Sequence, residues 1–252
     1  MNAIELCNIT KVYTRKNLFS TVHSTGVEHL DLAIRHGEIY GLLGLNGSGK
    51  TTAIKLILGL IMPTEGTVIV QGEKVPSPAV LRQIGFLPEA PYFYRYLTAR
   101  EILTMYGNLS QIDNVSESVE RMLVQVGLED AADKKLEEFS KGMLQRIGIA
   151  QSLLHNPVIL VYDEPLSGLD PLAMQVMATV LLDLKRQGKT ILFSSHRIAI
   201  VEKICDRVAI LSRGSLVRVL EQPEWAQASG ELERIFIADV AASSELGRIK
   251  LP

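Results

Sequence analysis

Short apolar runs alternate along this chain with stretches in which apolar residues recur at helical spacing. Glu38-Ile39-Tyr40-Gly41-Leu42-Leu43, Val158-Ile159-Leu160-Val161-Tyr162, Thr190-Ile191-Leu192-Phe193-Ser194 and Val208-Ala209-Ile210-Leu211 have the length and continuity of strands buried in a sheet centre. Thr67-Val68-Ile69-Val70, between Gly66 and Gly72, predicts a further strand in a more antiparallel setting. Ile54, Ile57, Leu58 and Ile61 share one helical face, which predicts a helix running on toward Pro63. From about residue 90 to residue 155 the helical period dominates. Thr98-Ala99-Arg100-Glu101 fits a capping box. A second helix begins at Ser116, carries Val119, Met122, Leu123 and Val126 as one stripe, and stops at Gly127. A third follows Gly142, with Leu144, Ile147 and Leu154 facing inward. Asp170-Pro171 marks another helix start, a capping aspartate before a proline in the first turn.

Apolar strands separated by helices imply an α/β fold with a mostly parallel sheet covered on both faces. The expected organisation is a core over residues 1–89 and 156–213, with an antiparallel β subdomain near its start. Residues 90–155 form an inserted helical subdomain, and residues 214–252 a C-terminal appendage.

Composition narrows the function classes. At roughly 150 residues per domain, 252 residues allow one large or two small domains. Apolar types make up 47% and charged types 21%, a folding composition rather than a disordered one. Lysine and arginine total 26 against 28 acidic residues, so the net charge is −2 and no global field favours nucleic acid. Cys7 and Cys205 cannot build a zinc quartet or a disulfide framework, and both read as small buried apolar residues. No signal peptide is visible at the start, and the longest uncharged apolar stretch, Leu56 to Met62, falls far below the ~18 residues that span a bilayer. The expected location is cytoplasmic, with any membrane role exercised by docking.

The chemistry lies where strands end. Gly44-Leu45-Asn46-Gly47-Ser48-Gly49-Lys50-Thr51 matches the phosphate-binding pattern G-x-x-x-x-G-K-[ST] in full, with Thr52 following, a strand before it and a helix after it. Glycines let successive backbone N–H groups curl around phosphate oxygens, and the helix N-terminus adds its positive end. Lys50 is placed to reach the β- and γ-phosphates, and the Thr51 hydroxyl to ligate Mg²⁺. The apolar run 158–162 ends in Asp163-Glu164. On a parallel sheet that pair emerges beside the phosphate loop, Asp163 to hold Mg²⁺ through its water shell and Glu164 to polarise the attacking water. Ser140 opens a helix at Gly142, where it reads either as a plain N-cap or, with the backbone donors there, as a second anion site.

These residues together resemble the nucleotide-binding domain of the ABC (ATP-binding cassette) ATPases, a P-loop NTPase fold, over nearly the whole chain. Phe139-Ser140-Lys141-Gly142-Met143 with Gln145-Arg146 resembles the family signature, Ser167-Gly168-Leu169-Asp170 its D-loop, and His196 its switch histidine. Tyr13 stands where the family places an aromatic that stacks on adenine. The resemblance implies that ATP and Mg²⁺ are bound and that His196 contacts the γ-phosphate. It also implies that Ser140, Gly142 and Asp170 serve a nucleotide held by a second copy of the same or a related subunit, in a head-to-tail dimer. Glu89, in Leu87-Pro88-Glu89, occupies the position where many members carry a glutamine and is the implied third Mg²⁺ ligand. Lys141 replaces the commonest glycine of the signature, and the link Thr14 to Gly26 is longer than usual.

The resemblance further implies a separate integral membrane permease, whose short coupling helix would meet the aromatic segment Pro91-Tyr92-Phe93-Tyr94-Arg95-Tyr96-Leu97. Glu231-Leu232-Glu233-Arg234-Ile235-Phe236 resembles the closing helix of export-type cassettes. The expected function is therefore ATP hydrolysis that energises a transporter, with export favoured and the chain peripheral on the inner face of the membrane. A soluble ABC ATPase acting on ribosomes or DNA is the alternative. No nucleic-acid partner is expected from the charge balance.

Overall fold

The computed structural model describes residues 2–17 and 20–245. Residues 18–19, inside the long link after Tyr13, and the end of the C-terminal appendage past residue 245 lie outside the described residues. The order opens with strands β1 (Asn2–Asn17), β2 (Ser20–Arg35) and β3 (Ile39–Leu43), then helix α1 (Lys50–Ile57). Strands β4 (Glu65–Val70) and β5 (Glu73–Lys74), helix α2 (Pro78–Leu81) and strand β6 (Ile84–Leu87) follow. Helices α3 (Ala99–Leu109), α4 (Val115–Gln125) and α5 (Lys141–Leu153) come next. The chain then alternates β7 (Ile159–Tyr162), α6 (Pro171–Arg186), β8 (Thr190–Ser195), α7 (Ile198–Ile204) and β9 (Arg207–Ser212). Strand β10 (Ser215–Glu221) and helix α8 (Glu231–Glu245) end the described chain.

Two sheets result. The first is a four-stranded antiparallel sheet in the order β2-β1-β4-β5. The second is six-stranded, ordered β10-β9-β3-β8-β7-β6, with every pair parallel except β9 and β10. Strand alternation divides its residues between two cores. Tyr40, Leu42, Val161, Leu192 and Leu211 pack with α1 and the antiparallel sheet. Ile39, Leu43, Tyr162, Phe193 and Ile210 pack on the other side with the helices, in a cluster that continues through Leu103, Leu123 and Ile147. Burial on both faces explains why β3, β7 and β8 read as unbroken apolar runs rather than alternating ones. Gly148 lets α5 lie against β6, since a Cβ there would stand 2.4 Å from Leu87 Cδ1.

Several local expectations hold. The Thr98 capping box is complete, with the Thr98 side chain accepting from the Glu101 N–H and the Glu101 side chain from that of Thr98. Asp170 caps α6 through Ala173 N–H at 2.8 Å. Others need correction. Helix α1 ends at Ile57 rather than running to Ile61, because Gly59 takes φ +64° and turns the chain toward β4. Helix α4 begins at Val115 rather than Ser116, entered from Asn114 in the left-handed region. Val158 is exposed and precedes the strand it was expected to start. The described part of the long link after Tyr13 continues the β1–β2 hairpin outward, paired through Asn17 and Ser20. Cys205 is buried, but Cys7 is exposed, because strand alternation turns Leu6 inward and Cys7 out.

Residues 215–221 pair with β9 and so extend the central sheet. Glu202 on α7 ties α8 down, its carboxylate accepting the N–H groups of Gly230 and Leu232. Among the described residues, no helix is long and apolar enough to cross a membrane.

Candidate functional site

Because β3, β7 and β8 are parallel neighbours, their carboxyl ends face the same edge of the sheet. Three chemically distinct segments leave from that edge: the loop 44–49 after β3, Asp163-Glu164 after β7, and His196 after β8. A cleft of about 500 Å³ opens above them, lined by Tyr13, residues 46–52, Glu89, Glu164 and His196, with residues 24–26 and Ser167. Its size falls within the range of small-molecule sites.

The loop is shaped by two glycines that L side chains could not replace without strain. Gly47 and Gly49 take φ +79° and +107°, and a Cβ on Gly49 would come 2.7 Å from the Gly26 carbonyl oxygen. Gly49 leads directly into α1, so the free N–H groups of its first turn point at the cleft. Lys50 is buried, its Nζ donating to the carbonyls of Gly44 at 2.7 Å and Leu45 at 3.3 Å. It also lies 3.6 Å from Glu164 Oε1. The Ser48 hydroxyl is buried with no hydrogen-bond partner among the described residues, an orphan group inside the phosphate loop.

Glu164 is almost fully buried and takes φ +48°, a conformation costly for a residue with a side chain. Its Oε2 stands 2.8 Å from His196 Nδ1. Asp163 is buried one residue earlier, its N–H donating to the Leu87 carbonyl at the end of β6. Glu89 reaches the cleft from the same strand end, and its carbonyl accepts Nε2 of the buried Gln145 on α5 at 3.2 Å. Tyr13 sits at the opposite wall with its hydroxyl 3.3 Å from Thr52 Oγ1 and its ring 5.6 Å from the Lys11 ammonium.

Thr51, Asp163 and Glu89 offer only hard oxygen donors, and no cluster of three or more His, Cys, Asp or Glu side chains capable of holding a metal occurs among the described residues. That donor set suits Mg²⁺, which keeps several waters and shares its shell with phosphate oxygens instead of entering an all-protein cage.

The structure thus brings Tyr13, Asn46, Gly47, Ser48, Gly49, Lys50, Thr51, Thr52, Glu89, Glu164 and His196 to one cleft. Gly44 and Leu45 form the base of the loop, where they hold Lys50. Ser140, Gly142 and Asp170 do not line it. Ser140 caps α5, accepting from Met143 N–H at 3.2 Å, and Gly142 lies against Ala173 and Leu169 near the start of α6. The sequence analysis did not single out residues 24–26 of the cleft wall, nor Ser194 beneath it. Ser194, fully buried at the end of β8, bonds to both members of the acidic pair, and the only signal was a hydroxyl two positions before the histidine.

The protein-family comparison matches residues 27–167 to the family described as ABC transporter. The chain belongs to this family. An ABC transporter ATP-binding protein of Synechocystis is 43% identical over 221 residues, which cover 86% of this chain and 62% of the relative. One from Nostoc is 42% identical, covering 83% of this chain and 64% of the relative. The chain therefore spans less than two thirds of the length of these two relatives. The bacitracin transport ATP-binding protein of Bacillus licheniformis is 39% identical over 85% of this chain and 68% of its own. Among solved structures, the ATP-binding subunit of an ABC transporter superposes with a TM-score of 0.80 at 28% identity, covering 94% of this chain and 99% of that one. A dimeric ATP-binding cassette in a post-hydrolysis state, bound to ADP and Pi, gives 0.78 at 26% identity, over 87% and 98%. The fold is that of an ABC ATPase, with its antiparallel β subdomain, central sheet and helices.

Proposed function

We propose that this chain is the ATP-hydrolysing subunit of an ABC transporter and that it works as a head-to-tail dimer docked on a separate membrane permease. The observation that carries the reading is the convergence of Lys50, Glu164 and His196 on the phosphate loop from three neighbouring strand ends. In this reading the Lys50 ammonium turns from the carbonyls of Gly44 and Leu45 to the β- and γ-phosphates. Glu164 accepts a hydrogen bond from the attacking water, whose oxygen bonds to the γ-phosphorus as the bond to the bridging β–γ oxygen breaks, releasing ADP and phosphate. His196 turns from Glu164 and donates its one ring N–H toward the γ-phosphate, as a neutral imidazole can. Tyr13 packs on the adenine. Thr51, Glu89 and, through water, Asp163 would hold Mg²⁺, which would neutralise charge at the phosphates.

Ser140, Gly142 and Asp170 serve the partner's nucleotide, which accounts for their distance from the cleft of their own chain. The relative solved as a dimer with ADP and Pi supports both hydrolysis and pairing. We further assign residues 90–155 to a unit that shifts when the dimer closes. Tyr92, Tyr94 and Tyr96 are exposed beside the cleft's Glu89 and form the surface that meets the permease, while Phe93 is buried and anchors the segment. In this reading the chain sits on the inner face of the membrane. Export is supported by the helix-forming segment 231–245, and transport by the relative that serves bacitracin transport.

Affinity capture from detergent-solubilised membranes tests the assignment. Co-purification of an integral membrane protein, with Mg²⁺-dependent phosphate release from the complex, is the expected result. Capture of ribosomes or nucleic acid instead would support the soluble alternative.

A further inference from the structure

We infer that Ser194 is a positioning residue whose single hydroxyl sets both acidic groups of the proposed hydrolytic centre. The inference rests on the roles given above to Asp163 and Glu164. Parallel pairing of β7 and β8 puts Tyr162 opposite Phe193, so the next residues, Asp163 and Ser194, stand level on neighbouring strands. Ser194 is 0% exposed. Its Oγ donates to Asp163 Oδ1 at 2.6 Å and accepts the backbone N–H of Glu164 at 2.8 Å.

The direction of these bonds follows from chemistry. A backbone N–H can only donate, so the Ser194 oxygen must accept from Glu164, and its one proton goes to the carboxylate of Asp163. Asp163 Oδ1 is thereby committed, which leaves Oδ2 for the water shell of a metal. The second bond acts on backbone shape. Glu164 holds φ +48°, and residues in that region persist only where surrounding contacts fix them. Ser194 pins its N–H from below, while His196 at 2.8 Å and Lys50 at 3.6 Å pin its carboxylate from above. Removing the hydroxyl leaves a buried donor and a buried carboxylate oxygen without partners.

The test compares Ser194→Thr with Ser194→Val in the full chain, two replacements of nearly equal volume that differ in the hydroxyl. Three readings are taken: amide exchange of Glu164 in the unliganded protein, the Mg²⁺ concentration for half-maximal thermal stabilisation in ATP, and turnover. Ser194→Val should speed exchange by about 10-fold, raise the Mg²⁺ requirement about 5-fold and lower turnover at least ~10-fold, while Ser194→Thr stays within about 2-fold of the parent. Equal exchange and equal Mg²⁺ response in the two variants would overturn the inference. Exchange needs no hydrolysis, so a parent chain that binds Mg²⁺ and ATP without releasing phosphate would sink the proposed function and leave this inference standing on its first two readings.

Discussion

The phosphate loop and the opening of α5 are both helix N-termini, yet the chain treats them differently. Around Lys50, side chains from three parallel strand ends converge, and Glu164 meets Lys50 and His196 across long stretches of sequence. Around Ser140 the bonding is local: the hydroxyl caps its own helix through Met143, three residues on. The first site is assembled by sheet register and the second by helix capping alone. The first draws its groups from three strand ends of one chain, and the second, in the reading proposed above, meets its nucleotide only on a second molecule. That difference fits the split nucleotide site proposed above.

Mutations can break that contrast. Lys50→Ala should have the largest effect, lowering ATP affinity ~100-fold or more, on the order of 3 kcal/mol, by titration calorimetry. Glu164→Gln should keep affinity within a few-fold but reduce phosphate release by ~100-fold or more. It should also trap an ATP-dependent dimer by size-exclusion chromatography, and unchanged turnover would remove Glu164 from the mechanism. Ser140→Ala sharpens the comparison, because single-chain ATP affinity should not move while turnover falls about 10-fold. The lost cap should cost about 1 kcal/mol in urea unfolding. Tyr13→Ala should weaken nucleotide binding only ~5-fold, the contribution of one ring contact.

The smallest effect concerns the frame and not either site. Burial holds the His155 imidazole below its ordinary value, helped by Lys189 and opposed by the Ile84 carbonyl it contacts. A group lowered in the folded state contributes stability that is present above its unfolded pKa of about 6.5 and is lost as pH falls through the folded value. The drop in Tm between pH 7 and pH 5 should therefore be smaller in His155→Gln than in the parent, measured by scanning calorimetry.

What could be read in advance was local. The glycine loop, the Thr98 and Asp170 caps, and the apolar strands each carry their signal within a few residues, and the structure has all of them. Pairing between strands has no such signal. Nothing in Phe193-Ser194-Ser195 says which strand lies beside it, so the Ser194 bonds to Asp163 and Glu164 could not be foreseen. The same holds for Gln145, whose amide reaches the loop of Glu89 from a helix 56 positions away. The overrun of α1 past Ile57 has another cause. Apolar periodicity continues to Ile61, but Gly59 at φ +64° ends the helix irrespective of it. Strand alternation around Cys7 was legible in principle, since Leu6 and Cys7 must face opposite sides, yet residue type alone suggests burial for both.

The two thiols hand the experimenter a practical gift. Cys205 lies under the central sheet against Gly41, and burial pushes its thiol well above the ordinary range, so alkylating reagents should pass it by. Cys7 is open to solvent, six residues and roughly 20 Å along the strand from Tyr13. A maleimide dye should therefore label Cys7 alone and sit well clear of Tyr13 and the cleft.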